Sequence, residues 1–388
     1  MKSFSNIELK KVSVKLAEQK LLDDISFNLE SGHHLAIFGP GGSGKTLLAK
    51  AIKGEVFHSG EVVFSKDGEA FRPKIVFVPV TPVIKNLSNL TGFYYQQRFN
   101  SCDAEDSLTL REELLKHGAE EKSIEGWLQK FQLLHRVNAP VIQLSNGELK
   151  KMQIISYLLT NPDVLILDKV FTGLDSGTRK LLHVVLNELA QNSTTIILIT
   201  DTHEMPQCIT HFAELSNGKL LRFEKLEKLG FLHYSEAQVF HGEMPEVKHA
   251  YHVGPLIQMR GVSVKYGEKQ ILKDVHWSVL PGECWLVKGA NGAGKSTLMS
   301  LINADNPQAY SQPLYLFGRK RGSGETIWDI KKKIGFVSPE LHKFFDNNIT
   351  VFNAIASGFF DTMGVYKPLS DEQRQKVTQW INYSVLAE

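Results

Sequence analysis

Short runs of consecutive apolar residues recur along this chain, each bounded by polar turns: Leu35 to Phe38, Val164 to Leu167, Ile196 to Ile199 and Trp285 to Val287. Runs of that length predict buried strands. Two of them, at 35–38 and 285–287, lead into glycine-rich turns and then into helix-compatible stretches, Thr46 to Lys53 and Ser296 to Asn303. A further helix is predicted from Ser145 onward, with Met152, Ile155 and Leu159 at inward-facing spacing. Ser216-Asn217-Gly218-Lys219 reads as a turn between two short strands that close a sheet. No apolar run approaches the roughly 20 residues of a membrane span, so the chain is not expected to cross a bilayer.

The glycine-rich turns carry the chemistry. Gly39-Pro40-Gly41-Gly42-Ser43-Gly44-Lys45-Thr46 and Gly289-Ala290-Asn291-Gly292-Ala293-Gly294-Lys295-Ser296, followed by Thr297, both satisfy G-x-x-x-x-G-K-[ST] in full. In such a loop backbone N–H groups turn inward on phosphates, the lysine reaches the terminal phosphates and the Ser or Thr hydroxyl ligates Mg²⁺. Strand, loop and helix follow in the order this mechanism requires. Two sites for a nucleoside triphosphate with Mg²⁺ are therefore expected, ATP being the nucleotide that the family resemblance below implies.

An offset of 250 residues aligns the two halves without a gap from about Val12 to Ile52: Val12-Ser13-Val14-Lys15 matches Val262-Ser263-Val264-Lys265, and Gly32 and Lys45 match Gly282 and Lys295. So long a period indicates a duplicated domain rather than a solenoid. The expected domains are 1–223, a linker at 224–255 carrying at most one short helix, and 256–388. At 388 residues, 42% hydrophobic and 22% charged, the composition is that of a soluble globular protein. The net charge of +2 gives no footprint for nucleic acid, and Lys331-Lys332-Lys333 reads as a solvated face. Cys102, Cys208 and Cys284 form neither a disulfide framework nor a metal spacing. With no secretion signal evident, a cytoplasmic location is expected.

After the first loop come Gln143-Leu144-Ser145-Asn146-Gly147-Glu148, Pro162 to Asp168, and Thr172-Gly173-Leu174-Asp175. In order and spacing these resemble the signature motif, Walker B strand and D-loop of ATP-binding cassette (ABC) ATPases. The segment from Leu316 to Lys332, with Arg321-Gly322-Ser323-Gly324-Glu325 at its centre, resembles tandem-cassette proteins of the molybdenum-transport or photorepair type. The resemblance implies an α/β P-loop NTPase with two cassettes in tandem. Each would have a mainly parallel sheet core with antiparallel and helical subdomains, the first helical subdomain spanning roughly Thr91 to Lys151. It implies that Lys45 and Lys295 neutralise phosphate charge, that Thr46, Ser296 and Asp168 organise Mg²⁺, and that Ser145, Asn146 and Gly147 complete the Lys295 site across the two domains. Tyr266 stands where the family stacks an aromatic on adenine, or else as core filler.

The chain also departs from the pattern. Lys169 follows the Walker B aspartate where the family has a glutamate that polarises the attacking water, and a lysine does not take that proton near neutral pH unless its pKa falls far. Val80 stands at the Q-loop glutamine and Leu16 at the adenine-stacking aromatic. The switch histidine falls at Thr200 or Asp201, with His203 a little late and read as a surface residue. In the second half Pro339 or Glu340 takes the Q-loop place; Glu340 is either a ligand of Mg²⁺ or water, or an exposed loop acid. The second signature would fall near residue 395. The expectation is thus a second cassette short of its signature and Walker B strand, completed by the rest of a longer chain or by another cassette.

The first site is accordingly expected to hold ATP with weak or no hydrolysis. The leading expectation for the whole is an energy-coupling ATPase subunit that docks to a membrane transporter, peripheral at the inner face. The alternative is a soluble nucleotide-gated switch acting on a non-membrane partner, and a third is a degenerate cassette that binds ATP only for stability.

Overall fold

The computed structural model of the chain describes residues 6–80, 107–118, 120–200, 204–228, 254–267, 269–289, 292–337, 348–360 and 362–384. These fall into two compact units, 6–228 and 254–384.

In the first unit β1 (Asn6–Leu16) and β2 (Gln19–Leu29) form an antiparallel ribbon. Strand β3 (Leu35–Phe38) enters the first glycine turn and α1 (Lys45–Lys53), followed by β4 (Ser59–Lys66), β5 (Glu69–Ala70) and β6 (Ile75–Val78). A helical block of α2 (Leu110–Leu115), α3 (Glu121–Lys130) and α4 (Asn146–Leu158) precedes β7 (Val164–Asp168), α5 (Ser176–Gln191), β8 (Thr195–Ile199), β9 (His211–Ser216) and β10 (Lys219–Lys225). One sheet is antiparallel, in the order β2-β1-β4-β5; the other runs β10-β9-β3-β8-β7-β6 and is parallel except for β10.

Strands β3, β7 and β8 alternate faces while staying buried throughout. Ala36, Phe38, Leu165, Leu167, Ile196 and Leu198 join a core shared with α2 to α5. Leu35, Ile37, Val164, Ile166, Ile197 and Ile199 join another shared with α1 and the antiparallel sheet. A sheet covered on both faces selects such unbroken apolar runs, and each buried aliphatic side chain contributes about 1.5–3 kcal/mol. The turn predicted at Ser216 to Lys219 joins β9 to β10, with Asn217 and Gly218 at φ 47° and 73°, the left-handed pair a two-residue hairpin needs.

The second unit holds β11 (Ile257–Tyr266), β12 (Lys269–Val279), α6 (Lys295–Ile302), β13 (Leu314–Leu316), β14 (Arg319–Lys320), α7 (Ile327–Lys331), α8 (Val351–Ser357) and α9 (Asp371–Tyr383). Its sheet is antiparallel, β12-β11-β13-β14. The 250-residue repeat extends here past Ile52. Left-handed backbone recurs at Asp24 and Asp274 (φ 51° and 50°), at Gly54 and Ala304 (78° and 62°) and at Asp67 and Phe317 (53° and 51°). In both units the backbone N–H of the aspartate donates to a serine hydroxyl eleven residues earlier, Ser13 or Ser263, at 2.9 Å.

One predicted element does not form. Trp285 to Val287 makes no strand and is exposed, Trp285 by 57% and Leu286 by 76%, whereas Leu35 to Phe38 are fully buried. The first unit's strand lies between β8 and β9, whereas among the described residues none pairs with 285–287. An apolar run becomes a strand only when neighbours take up its backbone donors and acceptors.

Candidate functional site

The first glycine loop lies between the buried end of β3 and the N-terminus of α1, which Gly44 opens at φ 95° without a side-chain cap. The orphan N–H groups of the first turn are thus left facing the loop. Gly39 takes φ 146°, and a Cβ there would overlap the Leu215 carbonyl oxygen of β9, so the loop's closeness to the sheet requires glycine. The β9–β10 turn presses on the other side, where Gly218 N–H donates to Ser43 O at 3.3 Å.

Lys45 is buried, and its Nζ donates to the carbonyls of Gly39 (2.7 Å) and Pro40 (2.5 Å) and to Ser43 Oγ (3.3 Å). Thr46 Oγ1 donates to Asp168 Oδ2 at 2.7 Å, so the hydroxyl and carboxylate read from the sequence as Mg²⁺ ligands meet across 122 residues. An exposed hydroxyl beside a buried carboxylate, with a lysine and the N-terminus of α1 next to them, suits a hard cation carrying an anionic phosphate. Mg²⁺ bound there would neutralise phosphate charge.

Lys169 follows Asp168 in left-handed backbone (φ 44°), its N–H held by Ile199 O at 2.9 Å and its side chain exposed. Asp175 caps α5, accepting from the Thr178 N–H at 2.9 Å. Ser145 caps α4 in a reciprocal box with Glu148: Glu148 N–H donates to Ser145 Oγ (3.3 Å) and Ser145 N–H to Glu148 Oε2 (2.8 Å). Gly147 is buried in the first turn of that helix. Met152, Ile155 and Leu159 are buried as their spacing predicted. Leu16 is 68% exposed and presents no aromatic face, and Thr200 is buried with its hydroxyl on Glu204 O at 3.4 Å.

In the second loop Gly292 and Gly294 take φ 79° and 93°, close to the 75° and 95° of Gly42 and Gly44. Lys295 Nζ donates to Gly289 O at 2.7 Å, repeating the Lys45 to Gly39 contact. Gly289, Gly292, Ala293 and Ser296 are exposed, while Thr297 is half-buried. Tyr266 is half-buried against the core of this unit, and its hydroxyl accepts from Asn306 Nδ2 at 2.9 Å. Ala290, Asn291, the Asn146 side chain, Asp201, His203, Pro339, Glu340 and the residues 81–106 that include Thr91 and Cys102 lie outside the described residues.

Sequence reasoning missed four contributors. Leu215 and Gly218 wall the first loop, though only the turn itself was legible. His34 Nδ1 accepts from the Ile196 N–H at 3.1 Å, tying the start of β3 to β8. Burial, and secondarily the neighbouring His33, push its pKa down to about 4, so it stays neutral. Lys150, buried in α4, donates to the carbonyls of Pro79 (2.9 Å) and Val80 (2.6 Å), so Val80 enters the contact through its backbone.

A family model described as ABC transporter matches residues 22–172 and 272–387. The chain is 34% identical over 399 residues to the ABC transporter ATP-binding protein ModF of Escherichia coli, spanning 97% of this chain and 79% of that protein. It is 29% identical over 375 residues to an uncharacterized ABC transporter ATP-binding protein of Schizosaccharomyces pombe, spanning 91% and 77%. A solved ATP binding subunit of an ABC transporter aligns at a TM-score of 0.46 with 24% identity, over 57% of this chain and 91% of that one. Two matches to one family in a single chain, each containing a complete glycine loop, identify this protein as a tandem member of the ABC transporter ATP-binding family, whose members bind and hydrolyse ATP.

Proposed function

We propose that the chain is the energy-coupling ATPase of a transport system, with unequal sites: a nucleotide clamp at Lys45 and a site of turnover at Lys295. The observation that carries the asymmetry is the pairing of Thr46 with Asp168 beside Lys45, immediately followed by Lys169. The clamp has what binding needs. Its loop offers N–H donors, Lys45 offers a cation, and Thr46 and Asp168 offer oxygen ligands for Mg²⁺. It lacks the carboxylate that would orient and deprotonate water, and general-base assistance is worth about 10²–10⁴ in rate.

The Lys295 loop and Ser296, with Thr297 behind them and Tyr266 at the adenine, would hold the second nucleotide. The N-terminus of α4, with its positive dipole end, suits a γ-phosphate. Among the described residues no helix is long and apolar enough to cross a membrane; in this reading the transport role is exercised through a membrane partner. Lys169 and Val80 favour a second reading, a nucleotide-gated switch with slow hydrolysis as its timer and a non-membrane partner.

Mg-ATP binding and single-turnover hydrolysis in Lys45→Ala and Lys295→Ala, made in a chain extended through the second signature and Walker B strand, test the asymmetry. Turnover lost in Lys295→Ala and kept in Lys45→Ala supports it, and equal loss in both overturns it. Co-purification with an integral membrane protein favours the transport role; a stable complex with a soluble protein favours the switch.

A further inference from the structure

Helix α4 buries a polar stripe. Gly147, Lys150, Gln153 and Ser156 recur every three residues and all are buried, at positions where a helix packed on an apolar sheet normally carries aliphatic side chains. Ser156 bonds within its own helix, to Gln153 O at 2.8 Å. Lys150 and Gln153 reach outward. Lys150 Nζ donates to Pro79 O (2.9 Å) and Val80 O (2.6 Å), and Gln153 Nε2 donates to Pro79 O (3.3 Å).

Three hydrogen bonds from one helix thus converge on two successive peptide groups at the exit of β6. That strand pairs with β7, Val78 lying opposite Leu167, so the exit adjoins the strand end that presents Asp168. Burying a lysine amino group is costly even when it is bonded, and an aliphatic side chain of similar volume is generally neutral or stabilising in its place. What the lysine gives that an aliphatic side chain does not is a pair of directed bonds that fix the strand exit to the helix. The N-terminus of α4, with Ser145 and Gly147, lies within about a turn and a half of Lys150 along a rigid helix.

We propose that Lys150, seconded by Gln153, is a positioning residue that couples the exit of β6 to the N-terminus of α4. Nucleotide held at the Lys45 loop then orders Ser145 and Gly147 through main-chain carbonyls, and Val80 needs no side-chain amide for this. The inference rests on the proposed reading of the Lys45 loop as a nucleotide site.

Hydrogen exchange of the full chain with and without Mg-ATP, alongside nucleotide affinity, tests it in wild type, Lys150→Met, Lys150→Arg and Gln153→Leu. In wild type, ATP is expected to slow exchange at both 39–46 and 145–149, the latter by about fivefold or more, the lower end of ordinary coupling between sites. Lys150→Met is expected to cut the slowing at 145–149 below about twofold while affinity and the slowing at 39–46 stay within about twofold of wild type. Lys150→Arg restores it, and Gln153→Leu, which keeps both lysine bonds, removes part of it. Undiminished slowing at 145–149 in Lys150→Met and Gln153→Leu overturns the coupling, as does equal loss at 39–46, which marks a merely structural lysine. Wild type that neither binds ATP nor slows at 39–46 overturns the nucleotide-site reading itself, a result separable from the others because it appears without any substitution.

Discussion

The two glycine loops are nearly the same object on different ground. Their final glycines agree in φ to within a few degrees, Leu22 and Leu272 press on Gly44 and Gly294 alike, and each lysine bonds the carbonyl of its loop's first glycine. Beneath the first loop lies a six-stranded sheet and a carboxylate in contact with Thr46; before the second, Trp285 to Val287 are exposed and unpaired among the described residues. The loop's shape is thus set locally, by glycine conformation and helix start, whereas its floor is set by strands distant in sequence. A complete motif specifies the turn without specifying the site around it.

Removing glycine from each loop should sharpen this contrast most. Gly39→Ala forces a methyl onto the Leu215 carbonyl and should cost the first unit about 3–5 kcal/mol in denaturant unfolding. Gly289→Ala meets nothing nearer than Ala293 Cβ at 3.2 Å and should cost less than about 1 kcal/mol. Similar costs would mean that the two loops are equally seated.

Acid should separate the units next. The pKa of His34 is about 4 when folded, against 6.5 ordinarily, so the unfolded chain takes up a proton that the folded chain refuses. The stability at stake is complete above pH 6.5, is lost as pH falls from there towards 4, and amounts to about 3 kcal/mol. The counterpart of His34 at the 250 offset is the exposed Cys284, which supplies no such buried imidazole. His34→Gln should flatten the first unit's pH profile; an unchanged profile would assign the acid sensitivity elsewhere.

Restoring the missing base tests the asymmetry from the chemical side. Lys169→Glu should raise single-turnover hydrolysis at the Lys45 site by about 10²-fold, worth about 2.7 kcal/mol on the barrier. No gain would mean that Lys169 is not what silences that site. The smallest effect is expected at the helix cap: Ser145→Ala should lower first-unit stability by about 1 kcal/mol, and a null result would mean that the box with Glu148 adds nothing.

Much of the first unit was legible because its signals are local. Four-residue apolar runs marked β3, β7 and β8, Asn217-Gly218 marked the hairpin, and the loop motif placed Lys45 and Thr46. The exposure of Trp285 to Val287 was not legible in the run itself, since an apolar run carries no information about its neighbours. Lys150 was also missed: basic residues after a helix start normally read as solvated, and only the three-residue spacing of Gly147, Lys150, Gln153 and Ser156 hinted at a buried polar face. The Tyr266 hydroxyl's partner, Asn306, lies 40 residues away and had no local signature.

The most direct test of unequal sites is an Mg-ATP titration of wild type, Lys45→Ala and Lys295→Ala chains. Tight binding that disappears in Lys45→Ala and persists in Lys295→Ala is the predicted result. Tight binding that survives Lys45→Ala, or is lost in Lys295→Ala, would contradict the claim that the first unit holds the ordered nucleotide site.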